Sequence, residues 1–98
     1  MTHAPDHSGH VRQRVVYSGR VQGVGFRATV RGLASDFPVT GFVQNLPDGS
    51  VLIEAQGAMP ALEAFRALIR ERLARNIRSE SDETIVRVEF ESGFEIRK

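Results

Sequence analysis

The chain has 98 residues, of which 41% are hydrophobic and 26% charged, and its formal net charge at pH 7 is +1. This length allows one small domain with one hydrophobic core, and the balanced charge favours neither a nucleic-acid partner nor an acidic carrier. The sequence contains no cysteine, which excludes disulfides, thiolate catalysis and cysteine-ligated zinc.

The first eleven residues differ in composition from the rest of the chain. They are polar and rich in His, Pro, Gly and Ser, so we predict a disordered tail at 1–11 and one folded domain at 12–98. The tail holds His3, His7 and His10, but a flexible segment offers no fixed ligand geometry, and we expect neither a metal nor a cofactor. It lacks the apolar core of a signal peptide, and no run approaches the ~18 apolar residues of a membrane span. We therefore expect a soluble, cytoplasmic protein with no membrane partner.

The domain begins with a predicted strand, a glycine-rich loop and a helix. Residues 12–19, RQRVVYSG, are rich in β-branched and aromatic residues and end at a glycine, which is typical of a strand. After the loop, apolar residues recur at helical spacing from about Phe26 to Phe37, and Pro38 ends the helix.

The next segment predicts a β-hairpin. Residues 39–45 and 50–56 read as strands, and the LPDG turn between them combines a fixed φ at Pro47 with a glycine that tolerates positive φ. So short a connection makes the two strands antiparallel. The residues that share one face of the first of them are Val39, Gly41, Val43 and Asn45.

The remaining elements are a long helix and two strands. Residues 59–75 predict a helix, and its apolar stripe consists of Leu62, Phe65, Ile69 and Leu73. We expect a polar connection at 76–83, a strand at 84–90 and a short strand at 94–97. The residues expected on the buried face of strand 84–90 are Val86, Val88 and Phe90.

The order β-α-β-β-α-β plus a terminal strand indicates an α+β fold of the split βαβ, or ferredoxin-like, type. It has one mostly antiparallel sheet with two helices on one face. The stretch GVGFRA, residues 23–28, fits the G-x-G-x-x-G/A dinucleotide pattern. We reject that interpretation because a dinucleotide-binding unit needs parallel strands, whereas the second strand here turns straight back.

Two readings of the glycine-rich loop remain open from the residues alone. Gly19, Gly23 and Gly25 allow consecutive backbone N–H groups to form an anion-binding nest, and the following helix presents its N-terminus to the same place. Arg27 is unfavourable at a helix N-terminus unless an anion lies in front of it. The first reading is therefore a phosphate cradle, and the second is an ordinary glycine-rich turn with a solvated arginine.

Two motifs resemble those of the acylphosphatase family. They are GRVQGVGFR, which ends at Arg27, and GFVQNLPDGSV, which contains Asn45. The order and separation of the motifs also fit, and the resemblance covers about residues 14–97. It implies the fold predicted above.

The resemblance implies an enzyme that hydrolyses the carboxyl-phosphate bond of small acyl phosphates to a carboxylate and inorganic phosphate, without metal or cofactor. It also implies that Arg27 binds phosphate and that Asn45 orients the attacking water. The phosphate-binding loop comprises Gly19, Arg20, Val21, Gln22, Gly23, Val24 and Gly25. We expect a monomer with no nucleic-acid partner. The alternative is a non-catalytic module of the same fold that binds phosphate or carbamoyl phosphate.

The sequence departs from the family pattern at several positions. Pro38 replaces a usual glycine, Val30 a common threonine and Leu46 a frequent polar residue, while Lys98 stands where a tyrosine is frequent. The usual GPP run before the fourth strand is also absent. We expect these differences to change the conformation of the loops and the contacts with substrate. Arg27 and Asn45 both agree with the family motifs.

Overall fold

Five strands and two helices make up residues 9–98, the part of the chain that the computed structural model describes. In chain order they are β1 (His10–Gly19), α1 (Phe26–Ala34), β2 (Thr40–Asn45), β3 (Val51–Ala58), α2 (Met59–Arg72), β4 (Ile77–Ile85) and β5 (Phe94–Arg97). The strands form one sheet in the order β4-β1-β3-β2-β5. All neighbours are antiparallel except β2 and β5, which are parallel. The predicted ferredoxin-like α+β fold is confirmed.

The folded domain begins slightly earlier than the sequence predicts. His10 and Val11, assigned to the tail, already belong to β1, where His10 pairs with Ala58 of β3. Residues 1–8 of the predicted tail lie outside the described residues.

One face of the sheet packs against both helices. Alternate residues of the three central strands are buried there, as the two-residue period of a strand requires. They include Val15, Tyr17, Val43, Val51, Ile53 and Ala55. The helices contribute Phe26, Val30 and Leu33 from α1, and Leu62, Phe65 and Ile69 from α2. The predicted apolar faces of the hairpin and of α2 are therefore confirmed.

The fourth strand was predicted in the wrong place. The expected polar connection at 76–83 forms most of β4, and the expected strand at 84–90 is irregular after Ile85. Val86 and Phe90, predicted to face the core, are 86% and 100% exposed. Phe90 also has a φ of 63°, in the left-handed region.

Ion pairs explain why a polar segment forms this strand. β4 lies at the edge of the sheet beside β1, and the residues opposite the buried Tyr17 and Val15 of β1 are the acidic Glu80 and Asp82. Arg66 of α2 contacts Glu80 at 2.9 Å and Asp82 at 2.8 Å, and Arg70 also pairs with Glu80. Charged edge strands of this kind resist pairing with other sheets. The apolar alternation that marks a buried strand is therefore missing from β4.

The opposite face of the sheet carries a buried ion-pair network. Arg12 of β1 is only 2% exposed, and its guanidinium lies 2.8 Å from Glu54 of β3 and 2.8 Å from Glu91. Arg14 reaches the second Glu54 oxygen at 3.0 Å. Burial alone would raise the pKa of Glu54, but hydrogen bonds from Arg12 and Arg14 outweigh it, so that the pKa is lowered. Glu91 precedes β5, so the network ties the β4–β5 connection to the sheet.

We predict that Phe90→Asn leaves the free energy of unfolding within about 0.5 kcal/mol of the original value, as for exposed positions generally. Asn also tolerates the positive φ of this position better than Phe does. The buried Phe65 is the control, and Phe65→Ala should cost about 3–5 kcal/mol. Urea denaturation checks both values. A loss above about 2 kcal/mol for Phe90→Asn would mean that Phe90 is buried after all.

We predict that Glu54→Gln destabilises the protein at pH 7 by about 1.5–3 kcal/mol, because Arg12 and Arg14 both lose the Glu54 carboxylate and the buried Arg12 keeps only Glu91 as a charged partner. The lowered pKa of Glu54 means that its contribution is complete above the ordinary value of 4.5 and is lost as pH falls through the folded-state value. The difference between the two proteins should therefore shrink below pH 4.5. Urea denaturation across the acid range tests this. Glu63→Gln, on the exposed side of α2, is the matched control. A difference that stays constant down to low pH would contradict the account.

Candidate active site

The loop between β1 and α1 has the backbone geometry of an anion-binding nest. Gly23 and Gly25 have backbone φ values of 74° and 78°, which residues other than glycine rarely adopt. Gly25 is the N-cap of α1, where its carbonyl accepts a hydrogen bond from Thr29 N–H at 3.0 Å. No side chain caps this helix, and its first turn contains no acidic residue. Unpaired N–H groups and the positive end of the helix dipole are therefore available to an anion.

A cavity of about 200 Å³ lies against this loop. It is lined by Val21, Gly23, Gly25, Phe26, Arg27, Ala28, Asn45 and Ile96. The structure therefore brings both motif residues, Arg27 and Asn45, together with part of the loop. None of these lining residues is acidic.

Most of the other residues of the predicted phosphate loop do not line the cavity. Gly19 ends β1 and passes so close to β4 that an added Cβ would lie 2.4 Å from Asn76 O. The Arg20 N–H donates to Asn76 O at 2.9 Å, so this N–H is already engaged within the protein. Val24 is 44% exposed at the tip of the loop. Of the predicted stretch, only Val21, Gly23 and Gly25 line the cavity.

A backbone carbonyl of β5 positions the guanidinium of Arg27. Its Nη1 donates to Arg97 O at 3.0 Å. This contact holds the guanidinium at the cavity. Because none of the lining residues is a carboxylate, nothing in the lining neutralises the charge of Arg27. The site thus combines a cation with the helix N-terminus, an arrangement that an anion stabilises.

Asn45 lines the cavity, and its side-chain oxygen is buried. It is the last residue of β2, and its Oδ1 accepts no hydrogen bond from any residue between 9 and 98. A buried acceptor in that state costs about 1–3 kcal/mol. This oxygen is therefore suited to a donor that the protein does not supply, such as a water molecule.

The side chain of Gln22 connects the two parts of the site. Its Nε2 donates to Leu46 O and to Ser50 O, both at 2.8 Å. These acceptors belong to the β2–β3 turn that follows Asn45. The sequence motif placed Gln22 among the backbone donors, and only the folded structure shows that its amide fixes the neighbouring turn.

The β2–β3 turn has the predicted form and is internally hydrogen-bonded. Gly49 has a φ of 94°, and its N–H donates to Leu46 O at 3.1 Å. The Ser50 hydroxyl and N–H both donate to Asp48 Oδ1. The Ser50 hydroxyl is the main reason that the pKa of Asp48 is lowered. Asn45 is thus followed by a well-defined turn.

The positions that depart from the family pattern lie outside the cavity lining. Val30 is fully buried in the core, and Pro38 is exposed before β2. Leu46 takes part in the turn through its backbone. Lys98 supplies a carbonyl that accepts from Gln44 Nε2 at 2.9 Å.

Histidines do not contribute to the cavity lining. His10 lies in β1 on a different cavity, and His3 and His7 are outside the described residues. Residues 9–98 contain no cluster of His, Cys, Asp and Glu side chains that could hold a metal ion. The same residues form no helix that is long and apolar enough to span a membrane.

Comparisons with known proteins identify relatives of this chain. The acylphosphatase family model matches residues 13–96. The acylphosphatase of Haloarcula marismortui is 41% identical over 93 residues, which cover 90% of this chain and 97% of the relative. That of Methanospirillum hungatei is 52% identical over 54 residues, but this match spans only 59% of the relative's length and 55% of this chain.

A solved structure agrees with the sequence relatives. The crystal structure of acylphosphatase from Bacillus subtilis superimposes with a TM-score of 0.79 at 30% identity, covering 90% of this chain and 99% of that one. The family match includes the glycine loop, Arg27 and Asn45. The chain is therefore a member of the acylphosphatase family.

Proposed function

We propose that this protein hydrolyses the carboxyl-phosphate bond of small acyl phosphates, releasing a carboxylate and inorganic phosphate. The observation that carries the proposal is that one cavity joins the glycine loop, Arg27 and Asn45, whose Oδ1 accepts no hydrogen bond within residues 9–98. The family membership supports the same reaction.

The phosphoryl group would lie against the loop and the first turn of α1. The backbone N–H groups around Gly23 and Gly25 would donate to its oxygens, and Arg27 would contact it from the side of β5. Donors fixed in advance stabilise the charge that spreads over the phosphoryl oxygens during transfer. The folded loop would therefore supply most of the rate enhancement through position and charge.

Asn45 would orient the attacking water. Its Oδ1 accepts a hydrogen bond from the water, whose oxygen attacks phosphorus while the bond from phosphorus to the acyl oxygen breaks. The carboxylate leaves with the bond electrons, and a phosphate oxygen takes the proton of the water. Because a carboxylate is a good leaving group, the reaction does not require a strong base or a covalent nucleophile.

The remaining parts of the proposal concern assembly and location. That the enzyme is a monomer stays a prediction. The cytoplasmic location stays a prediction.

We expect Arg27→Gln to lower kcat/KM for benzoyl phosphate by about 10²–10³-fold and to abolish inhibition by inorganic phosphate, because both depend on the same cation. Asn45→Ala should lower kcat by a similar factor while the inhibition constant of phosphate stays within about twofold, since this side chain acts on water. Steady-state hydrolysis with phosphate as inhibitor measures both.

Arg31→Gln is the matched control for these variants, because Arg31 lies in the last turn of α1 and outside the cavity lining. Its kinetics should match those of the original protein. Unchanged turnover by Arg27→Gln would refute the proposed site. Phosphate binding without any turnover by the original protein would establish the binding module instead.

We also predict that Gln22 is a positioning residue whose effect passes through Asn45. Gln22→Leu removes two hydrogen bonds to the β2–β3 turn and should lower kcat by about 10-fold or more, since small misplacements of a reacting group are costly. In an Asn45→Ala background the same substitution should lower kcat much less. A double-mutant cycle measures this coupling, and equal effects in both backgrounds would contradict it.

A further inference from the structure

The cavity has an apolar side that the phosphoryl group does not use. Its polar part consists of the loop backbone, Arg27 and Asn45. Among the apolar lining residues, Val21 and Phe26 are 1% and 2% exposed and belong to the core. Ile96, by contrast, is 39% exposed. The side chain of Ile96 therefore offers apolar surface that a bound molecule can reach.

The register of β5 places Ile96 next to the reacting groups. Ile96 pairs with Val43 of β2, two residues before Asn45. The next residue, Arg97, supplies the carbonyl that holds Arg27. Ile96 thus lies beside β2, which carries Asn45, and directly precedes Arg97, whose carbonyl holds Arg27. Ala28, exposed in the first turn of α1, also lines the cavity.

The side chain of Arg97, the residue that follows Ile96, is held on the other face of the sheet. The Arg97 guanidinium stacks on Phe42 with 3.8 Å between its Cζ and the ring centroid, and its Nε lies 2.7 Å from Glu95. It therefore does not add a second positive charge beside Ile96. An acyl group that carries its own negative charge gains nothing from Arg97.

We propose that Ile96, with Ala28, forms the surface that contacts the acyl group, and that the favoured substrates are acyl phosphates with an apolar acyl group, such as an aryl or branched alkyl group. This inference rests on the proposed hydrolase function. With the phosphoryl group in the polar part of the cavity, the acyl carbon is one oxygen atom away from phosphorus. The substituent on that carbon can then cover Ile96 and remove its apolar surface from water.

The test compares benzoyl phosphate with acetyl phosphate in the original protein and in Ile96→Thr. Thr keeps the β-branched shape that suits a strand but replaces apolar surface by a hydroxyl. We expect kcat/KM for benzoyl phosphate to fall about 3- to 10-fold, which is less than the roughly 10- to 200-fold for a methylene in a closed pocket because Ile96 is partly open to solvent. The value for acetyl phosphate should change less than about twofold, because its methyl group makes little contact. Each substrate is compared with itself, so that intrinsic reactivities cancel.

Two further measurements separate the contact from other effects. Inhibition by inorganic phosphate should be the same in Ile96→Thr as in the original protein, because phosphate has no acyl group. Val86→Thr makes the same kind of change at an exposed position outside this cavity. It should leave kcat/KM unchanged for both substrates. Thermal unfolding confirms that both variants are folded at the assay temperature.

The outcomes distinguish this inference from the function on which it rests. A selective loss of benzoyl phosphate turnover supports the inference. Equal losses for both substrates, or no loss for either, would overturn it while leaving the hydrolase function intact. Absence of turnover of both substrates by the original protein would refute the hydrolase function, and the inference with it.

Discussion

The two hydrogen bonds that Gln22 donates to Leu46 and Ser50 hold together two loops that are distant in the chain. One loop carries the anion-binding glycines, and the other follows the strand that ends at Asn45. Neither loop alone could carry out the proposed reaction, because in that proposal one would bind the phosphoryl group and the other would supply the acceptor for water. The ferredoxin-like topology brings both to one end of the sheet, and Gln22 sets the distance between them. The site therefore depends on a contact that takes no direct part in the chemistry.

The distribution of charge supports the same account. Several arginines elsewhere in the described chain are paired with carboxylates, as Arg12 is with Glu54 and Arg66 with Glu80. In the cavity, Arg27 instead contacts a backbone carbonyl, and the helix behind it has no acidic residue in its first turn. A neutral partner fixes the orientation of the guanidinium without cancelling its charge. The positive field then remains available for the phosphoryl group, which would bring the compensating charge.

Local sequence rules were sufficient for the elements that build this site. The positive φ values at Gly25 and Gly49 follow from turn geometry. α1 ends at Ala34, four residues before Pro38, so the helix is shorter than the apolar spacing from Phe26 to Phe37 indicated. Because the hairpin between β2 and β3 excludes a dinucleotide-binding sheet, the residues and topology left two interpretations of the glycine loop, a phosphate cradle and an ordinary turn. The resemblance to the family then added the roles of Arg27 and Asn45.

Features that depend on tertiary contacts could not be predicted in the same way. β4 is a strand because Arg66 and Arg70 reach its acidic residues, and no local pattern in the sequence shows that pairing. The apolar alternation of Val86 and Val88 indicated a strand where the chain is irregular. Similarly, the carbonyl of Arg97 and the amide of Gln22 become part of the site only when the strands are placed side by side. Their residue types alone carry no such signal.

The central claim is that phosphate binds where the glycine loop meets α1, within reach of Asn45. An ¹H–¹⁵N correlation spectrum recorded during a titration with inorganic phosphate tests it most directly. The account predicts saturable shifts of the Gly23, Gly25 and Arg27 backbone amides and of the Asn45 side-chain amide, with one common affinity. Shifts centred on another surface, such as the exposed 86–91 segment, or no saturable shift in the loop, would contradict it.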